Sequence, residues 1–127
     1  MKKLIFILFL MPLLIKGQLL TKDVTFLSDS VATVQIDAGF YLKGLMIPDT
    51  LKIETFYFDI SDNGTDFYRL VNNDTTKTDY FIKVDTSKSV VFSLPKDKFE
   101  AFKYVKFIGN ADAPDTTVCR AILKNRE

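Results

Sequence analysis

Short apolar runs follow one another along the chain from Gln18 onward, separated by clusters of Gly, Asn, Asp and Pro. The runs are rich in Val, Ile, Thr, Phe and Tyr, which are residues that favour β-strands. Alternation is clearest from Ile53 to Ile60, where Phe56, Phe58 and Ile60 fall on one face. The pattern predicts strands over Asp23–Leu27, Val31–Asp37, Tyr41–Ile47, Leu51–Ile60, Phe67–Val71, Tyr80–Val84, Val90–Leu94, Tyr104–Ile108 and Thr117–Leu123.

One short stretch after Gln18 favours a helix, from Lys96 to Phe102. It follows Pro95, whose fixed φ suits the first turn of a helix. The strands come without regular intervening helices, and turn signals recur roughly every 8–12 residues. We therefore expect an all-β protein, an antiparallel β-sandwich or jelly roll of about eight strands. No linker or repeat divides residues 18–127, which are expected to form one domain.

The first 17 residues have a different character. Met1-Lys2-Lys3 precedes an apolar run, Leu4–Ile15, which is followed by Lys16-Gly17-Gln18. Twelve or so residues are too few for a transmembrane helix, which needs about 20. A basic start and an apolar stretch of this length are typical of a secretory signal, with Gly17 at the cleavage position. Two alternatives stay open: an uncleaved amphipathic or apolar anchor, or a helix buried against a neighbouring subunit.

The composition of this 127-residue chain limits the kinds of catalytic and metal site that it can form. Histidine and tryptophan are absent, and Cys119 is the one cysteine. This excludes nucleophile–histidine pairs, thiolate zinc sites and internal disulfides. The net charge of +1 offers no basic field for nucleic acid. Loss of residues 1–17 would remove three lysines and no acid, leaving 14 basic and 16 acidic residues and a net charge of −2.

Acidic residues cluster around Asn63-Gly64, a dipeptide that favours a hairpin turn. Asp59, Asp62 and Asp66 offer hard oxygen ligands for calcium, but their spacing does not follow an EF-hand loop. A solvated turn is the plainer interpretation. No pair of carboxylates stands out for glycoside hydrolysis, and Cys119 lies in an alternating run typical of a buried residue. No catalytic residue and no cofactor are predicted.

Aromatic side chains provide another candidate chemistry, because sugar-binding sandwiches often use exposed rings as stacking platforms. Most phenylalanines are expected in the core, and a tyrosine beside them is more often a half-buried packing residue. The candidates are Tyr41, Tyr57, Tyr68, Tyr80 and Tyr104. Of these, Tyr68 and Tyr80 are our predicted ligand-binding residues.

A family resemblance covers Ser30–Leu123 and rests on the order and spacing of several segments. The segments are Ile36-Asp37-Ala38-Gly39, Leu42-Lys43-Gly44-Leu45-Met46-Ile47-Pro48, the run from Phe56 to Tyr68 with Asn63-Gly64, Phe92-Ser93-Leu94-Pro95, Phe99, the run from Phe102 to Phe107, and Arg120. Together they resemble small β-sandwich virion proteins of tailed bacteriophages. The N-terminal run, in turn, is similar to signal peptides of Bacteroidota.

The phage resemblance implies a jelly-roll-like sandwich, similar in outline to galactose-binding or discoidin domains. It also implies a non-enzymatic role as a head-decoration, fibre or tail component. We therefore expect a virion structural protein that contacts other virion chains in a homo- or hetero-oligomer and that can contact a host glycan. The alternative is a carbohydrate- or protein-binding module exported to the periplasm or cell surface of a Bacteroidota bacterium after signal cleavage.

Overall fold

The fold comes from a computed structural model, which describes residues 19–73 and 75–126. The predicted N-terminal helix and the separate segment 1–17 lie outside the described residues. Within them, no helix is long and apolar enough to cross a membrane. The elements are β1 Leu19–Leu27, β2 Val31–Gln35, β3 Phe40–Ile47, β4 Thr55–Ser61, β5 Tyr68–Arg69, β6 Phe81–Lys83, β7 Val90–Ser93, α1 Lys96–Phe99, β8 Tyr104–Gly109 and β9 Thr116–Asn125.

These strands form two antiparallel sheets. Sheet A has the order β1-β9-β3-β7, and sheet B has the order β2-β8-β4-β5. The short strand β6 also pairs with β4, further along the edge that β5 occupies. Most successive strands pass from one sheet to the other, and the resulting order is that of a jelly roll. The predicted all-β, antiparallel sandwich is confirmed.

The core lies between the inner faces of the two sheets, as the alternation in β4 predicts. Phe56, Phe58 and Ile60 are buried there, while the residues between them are partly exposed. The Phe58 ring meets Phe99 at 5.2 Å and Phe107 at 5.5 Å, both edge-to-face. Edge-to-face pairs add about 0.5–1.5 kcal/mol each beyond burial of the rings. This aromatic cluster fixes the short helix α1 over the sandwich through Phe99.

The structure corrects the predicted strand Leu51–Ile60, which begins only at Thr55. Lys52 has a φ of +60°, which is incompatible with a continuous strand. Leu51 and Ile53 are nevertheless fully buried. Their alternation therefore reflects a loop that fills the core and not a strand.

Other boundaries also differ from the prediction, and two of them differ by three residues or more. The helix ends at Phe99 and not at Phe102. β1 begins at Leu19, four residues before the predicted start, and pairs with β9 over all nine of its residues. Pairing with β9, which lies far away in the sequence, thus extends β1 beyond the residues whose own pattern predicts a strand.

Candidate functional site

Four chain segments meet at one end of the sandwich and enclose a pair of adjoining cavities. β2 ends at Gln35 opposite Tyr104, and β4 ends at Ser61 opposite the same tyrosine. One cavity has a volume of about 490 Å³ and the other about 400 Å³. We call the two together the end cleft; it is lined by Gln35–Gly39, Ile60–Asn63, Asp66, Tyr68, Phe102–Tyr104 and Arg126.

The loop between β4 and β5 forms one wall of the end cleft and is held by its own side chains. The Ser61 hydroxyl accepts hydrogen bonds from the Asn63 and Gly64 amides at 3.2 and 2.9 Å, and donates one to Asn63 Oδ1. Asn63 Oδ1 also accepts from the amides of Thr65 and Asp66. These bonds satisfy the polar groups of the turn with side chains of the same loop. The conformation of the loop is therefore held by its own hydrogen bonds.

Gly64 lies directly over the ring of Tyr104, and its φ is +80°. A Cβ there would come within 3.0 Å of Tyr104 Cζ. The predicted turn at Asn63-Gly64 is present, but it belongs to a longer loop than a two-residue hairpin, because β4 and β5 pair only up to Ile60 and Tyr68. The glycine is needed both for its backbone conformation and for the close approach to the ring.

The opposite wall is formed by the turn between β2 and β3. Lys22 Nζ donates to Gln35 O at 2.6 Å and to Asp37 Oδ1 at 2.8 Å. Arg126 Nε donates to Phe40 O at 3.0 Å, and the Arg126 amide donates to Gly39 O. The Nη donors of the guanidinium have no hydrogen-bond partner in the described part of the chain. Arg126 thus brings hydrogen-bond donors to a cleft in which Asp62 provides acceptors.

The structure separates the two predicted ligand-binding tyrosines. Tyr68 is 72% exposed and lines the end cleft. Tyr80 is half-buried, with its ring 5.8 Å from Phe58 and 6.0 Å from Phe99, and Lys98 Nζ lies 5.3 Å from its centroid. Burial, with a smaller effect of Asp97, raises the pKa of Tyr80. The geometry therefore favours Tyr68 as a platform, while Tyr80 serves the core.

The three acids considered for calcium do not converge. Asp59 lies on the outer face of sheet B and accepts from Arg69 Nε at 2.6 Å, a bond that is the main reason why the pKa of Arg69 is raised. Asp66 accepts from Asn63 Nδ2 at 3.0 Å, and Asp62 lines the end cleft. In the described part of the chain, no three acidic or cysteine residues are grouped as a metal site requires.

Sequence reasoning missed most of the end cleft. Asp37, Phe102, Lys103 and Arg126 were not among the candidate site residues, because strand pairing and the turn after β2 bring them to the cleft from distant parts of the chain. Tyr104 was a candidate ring, and the structure places it beneath Gly64 as part of the cleft wall. An aromatic ring in one cavity, with hydrogen-bond donors and acceptors in the adjoining one, is an arrangement that can hold a small polyhydroxylated ligand.

A second surface lies on the outside of sheet A. We call it the apolar face, and it consists of the exposed side chains of Leu27, Met46, Val91 and Val118. Beside these residues is an open groove of about 280 Å³, which is also lined by Pro48 and Arg120. Exposed apolar patches on small proteins often mark contacts with other molecules.

Solved structures with similar folds include two carbohydrate-binding modules and a prophage protein. CBM32-1 from a family 31 glycoside hydrolase of Clostridium perfringens is 12% identical, with a TM-score of 0.51, over 84% of this chain and 76% of that one. The chain has the β-sandwich fold of that module. The SPBc2 prophage-derived protein YomS is 11% identical with a TM-score of 0.46, over 85% and 96% of the two chains.

A pectin-binding carbohydrate-binding module is 10% identical with a TM-score of 0.38, over 84% of this chain and 72% of that one. No protein-family model and no curated protein matches the sequence. The likeness to CBM32-1 establishes the sandwich architecture and nothing finer, because the identity is low.

Proposed function

We propose that this chain is a non-enzymatic structural protein of a tailed-phage particle, and that its sandwich binds a sugar in the end cleft. The cleft carries the binding part of the proposal. The exposed ring of Tyr68 lines one of its two adjoining cavities, Arg126 lines the other, and the carboxylate of Asp62 lines both. A sugar presents hydroxyls that both donate and accept, beside an apolar ring face, and these features complement such a lining.

The phage part of the proposal is supported by the sequence resemblance, which includes the segments that form the cleft walls, Ile36–Gly39 and Phe56–Tyr68. The apolar face supplies a separate surface on which a neighbouring virion chain can pack. The absence of histidine from the sequence and the burial of Cys119 support a role without catalysis. The protein would then act by presenting surfaces.

The second candidate is an exported carbohydrate- or protein-binding module of a Bacteroidota bacterium. It is favoured by the signal-like pattern of residues 1–17 and would use the same end cleft. N-terminal sequencing and intact mass of the native protein separate the two. A start at Gln18 supports export, whereas a start at Met1, with the protein recovered from purified particles, supports the virion role.

The sugar site is tested first with a glycan array and then with calorimetry on any sugar that binds. We expect Tyr68→Ala to weaken binding about tenfold or more, which is ~1.4 kcal/mol and within the range for an aromatic contact. Phe81→Ala is a matched control, because Phe81 is also an exposed aromatic but lies on the outer face of sheet B, away from the cleft.

Tyr80→Phe provides a second control at the other predicted tyrosine. It keeps the ring in the core and removes only the hydroxyl, so we expect sugar binding to be unchanged. Loss of binding in Tyr80→Phe together with unchanged binding in Tyr68→Ala would contradict the proposed site. Absence of any signal on the glycan array would contradict the sugar proposal. The virion role would still be tested by whether the protein is recovered from purified particles.

A further inference from the structure

The strand β7 is an edge of sheet A and has an open side. Among residues 19–73 and 75–126 it pairs with β3 alone, in a register that sets Leu45 opposite Phe92. The Leu94 amide donates to Lys43 O at 2.7 Å. Because inter-strand bonds alternate along an antiparallel pair, Val90 and Phe92 are directed toward β3. Val91 and Ser93 therefore direct their amide and carbonyl groups to the open side.

The edge formed by β7 is short, at four residues, and it has no charged residue, proline or bulge. Edge strands in soluble proteins are commonly protected by charged residues, proline or bulges. The opposite edge of sheet A, β1, carries Lys22 and Asp23. By contrast, β7 reads Val-Val-Phe-Ser, and its Val91 side chain is 66% exposed. The unprotected edge also borders the groove of the apolar face.

We propose that β7 pairs with β7 of a second copy of this chain, antiparallel and across a two-fold axis at Phe92. Val91 then lies opposite Ser93 of the partner subunit, and the reverse pair forms on the other side of the axis. Each Val91–Ser93 pair forms two backbone hydrogen bonds, so about four form in all. They use the amide and carbonyl groups that Val91 and Ser93 direct to the open side. The two four-stranded sheets become one continuous sheet of eight strands.

A second copy fits this edge for two reasons. First, Val91 and Ser93 are equally spaced about Phe92, so the pattern of donors and acceptors is self-complementary, as a two-fold interface requires. Second, the four paired residues carry no charge, and the first lysines that this register would set opposite each other, Lys88 and Lys96, lie three residues beyond the paired positions. The axis is perpendicular to the sheet, so the two apolar faces come to lie side by side.

Disulfide cross-linking on the full-length chain tests the register. The variants Val91→Cys and Ser93→Cys are prepared separately and then mixed under mild oxidation. We expect the mixture to give a covalent dimer and each variant alone to give much less, because residue 91 faces residue 93 across the axis. Cys119 does not compete, since it is buried and burial raises its pKa to about 12. Equal cross-linking of the mixture and of each variant alone would overturn the register.

Sedimentation equilibrium tests the dimer itself. We expect Val91→Lys to raise the dimer Kd at least tenfold, because it places a charge beside the paired strands. Val31→Lys is the matched control: Val31 is a 40% exposed valine on β2, an edge of the other sheet. A wild-type chain that stays monomeric at high concentration, or equal losses from the two lysine variants, would overturn the proposal. The dimer does not involve the end cleft, so failure here leaves the sugar proposal unaffected.

Discussion

Gly44 provides a sharp test of how closely β3 and β7 are packed. A Cβ on Gly44 would lie 2.3 Å from the carbonyl oxygen of Phe92, whereas ordinary contacts are at 3.4–4 Å. Because this oxygen belongs to the backbone of Phe92, no side-chain rotation relieves the clash. In Gly44→Ala the two strands must separate by roughly 1 Å, close to the bond from the Leu94 amide to Lys43 O.

The expected loss of stability follows from these distances. Overpacking of this kind costs about 1–3 kcal/mol, and a weakened strand hydrogen bond adds about 0.5–1.5. Replacing glycine in a strand would otherwise gain about 0.5–1 kcal/mol from the unfolded chain. We therefore expect Gly44→Ala to lower the free energy of unfolding by about 1–3 kcal/mol, a fall in Tm of roughly 4–15 °C.

Urea denaturation and amide hydrogen exchange check this prediction together. Gly39→Ala is the control: Gly39 has a φ of +83° but nothing within 4 Å of an added Cβ. We expect that variant to lose about 1–2 kcal/mol from backbone strain without faster exchange at Leu94. In Gly44→Ala the Leu94 amide exchanges faster. Unchanged stability, or unchanged exchange at Leu94, would refute the argument from close packing.

Three further predictions concern the core and two titrating groups. Phe58→Ala removes a fully buried ring that contacts Phe99 and Phe107, so we expect a loss of about 3–5 kcal/mol in urea denaturation; a loss below about 1 kcal/mol would be inconsistent with the cluster. Burial raises the pKa of Cys119 to about 12, so the folded chain should react with a thiol reagent at about pH 8 far more slowly than the urea-unfolded chain, and equal rates would contradict this. Hydrogen bonds from Ser87, mainly from its hydroxyl, lower the pKa of Asp85. The stabilisation from that shift is present above the ordinary pKa of an aspartate and is lost as the pH falls through the lowered value. NMR titration should therefore show the pKa of Asp85 rising in Ser87→Ala, and an unchanged pKa would exclude the hydroxyl as its main cause.

Much of the architecture could be predicted from local pattern. The alternation of Phe56, Phe58 and Ile60 defines the inner face of β4, and the spacing of turn signals predicts a sandwich. The strand Leu51–Ile60 was wrong at its start because Leu51 and Ile53 alternate like strand residues. Their burial is real, but the positive φ of Lys52 is set by tertiary packing and has no clear signal in the sequence.

The end cleft was less predictable, because its lining comes from positions far apart in the chain. Arg126 reaches it through the pairing of β9 with β3, and Asp37 through the turn that follows β2. The distinction between Tyr68 and Tyr80 depends on which side of a short strand or loop faces the core. Nothing in the residues beside these tyrosines sets that choice.

The most direct test of the central claim is an NMR titration of the labelled chain with a sugar that the glycan array identifies. We predict that the largest shifts fall on the amides of the end cleft, at Asp37–Gly39, Asp62–Asp66 and Tyr68. Shifts confined to the apolar face, or none at millimolar concentrations of any sugar from the array, would contradict the claim that this cleft is the binding site.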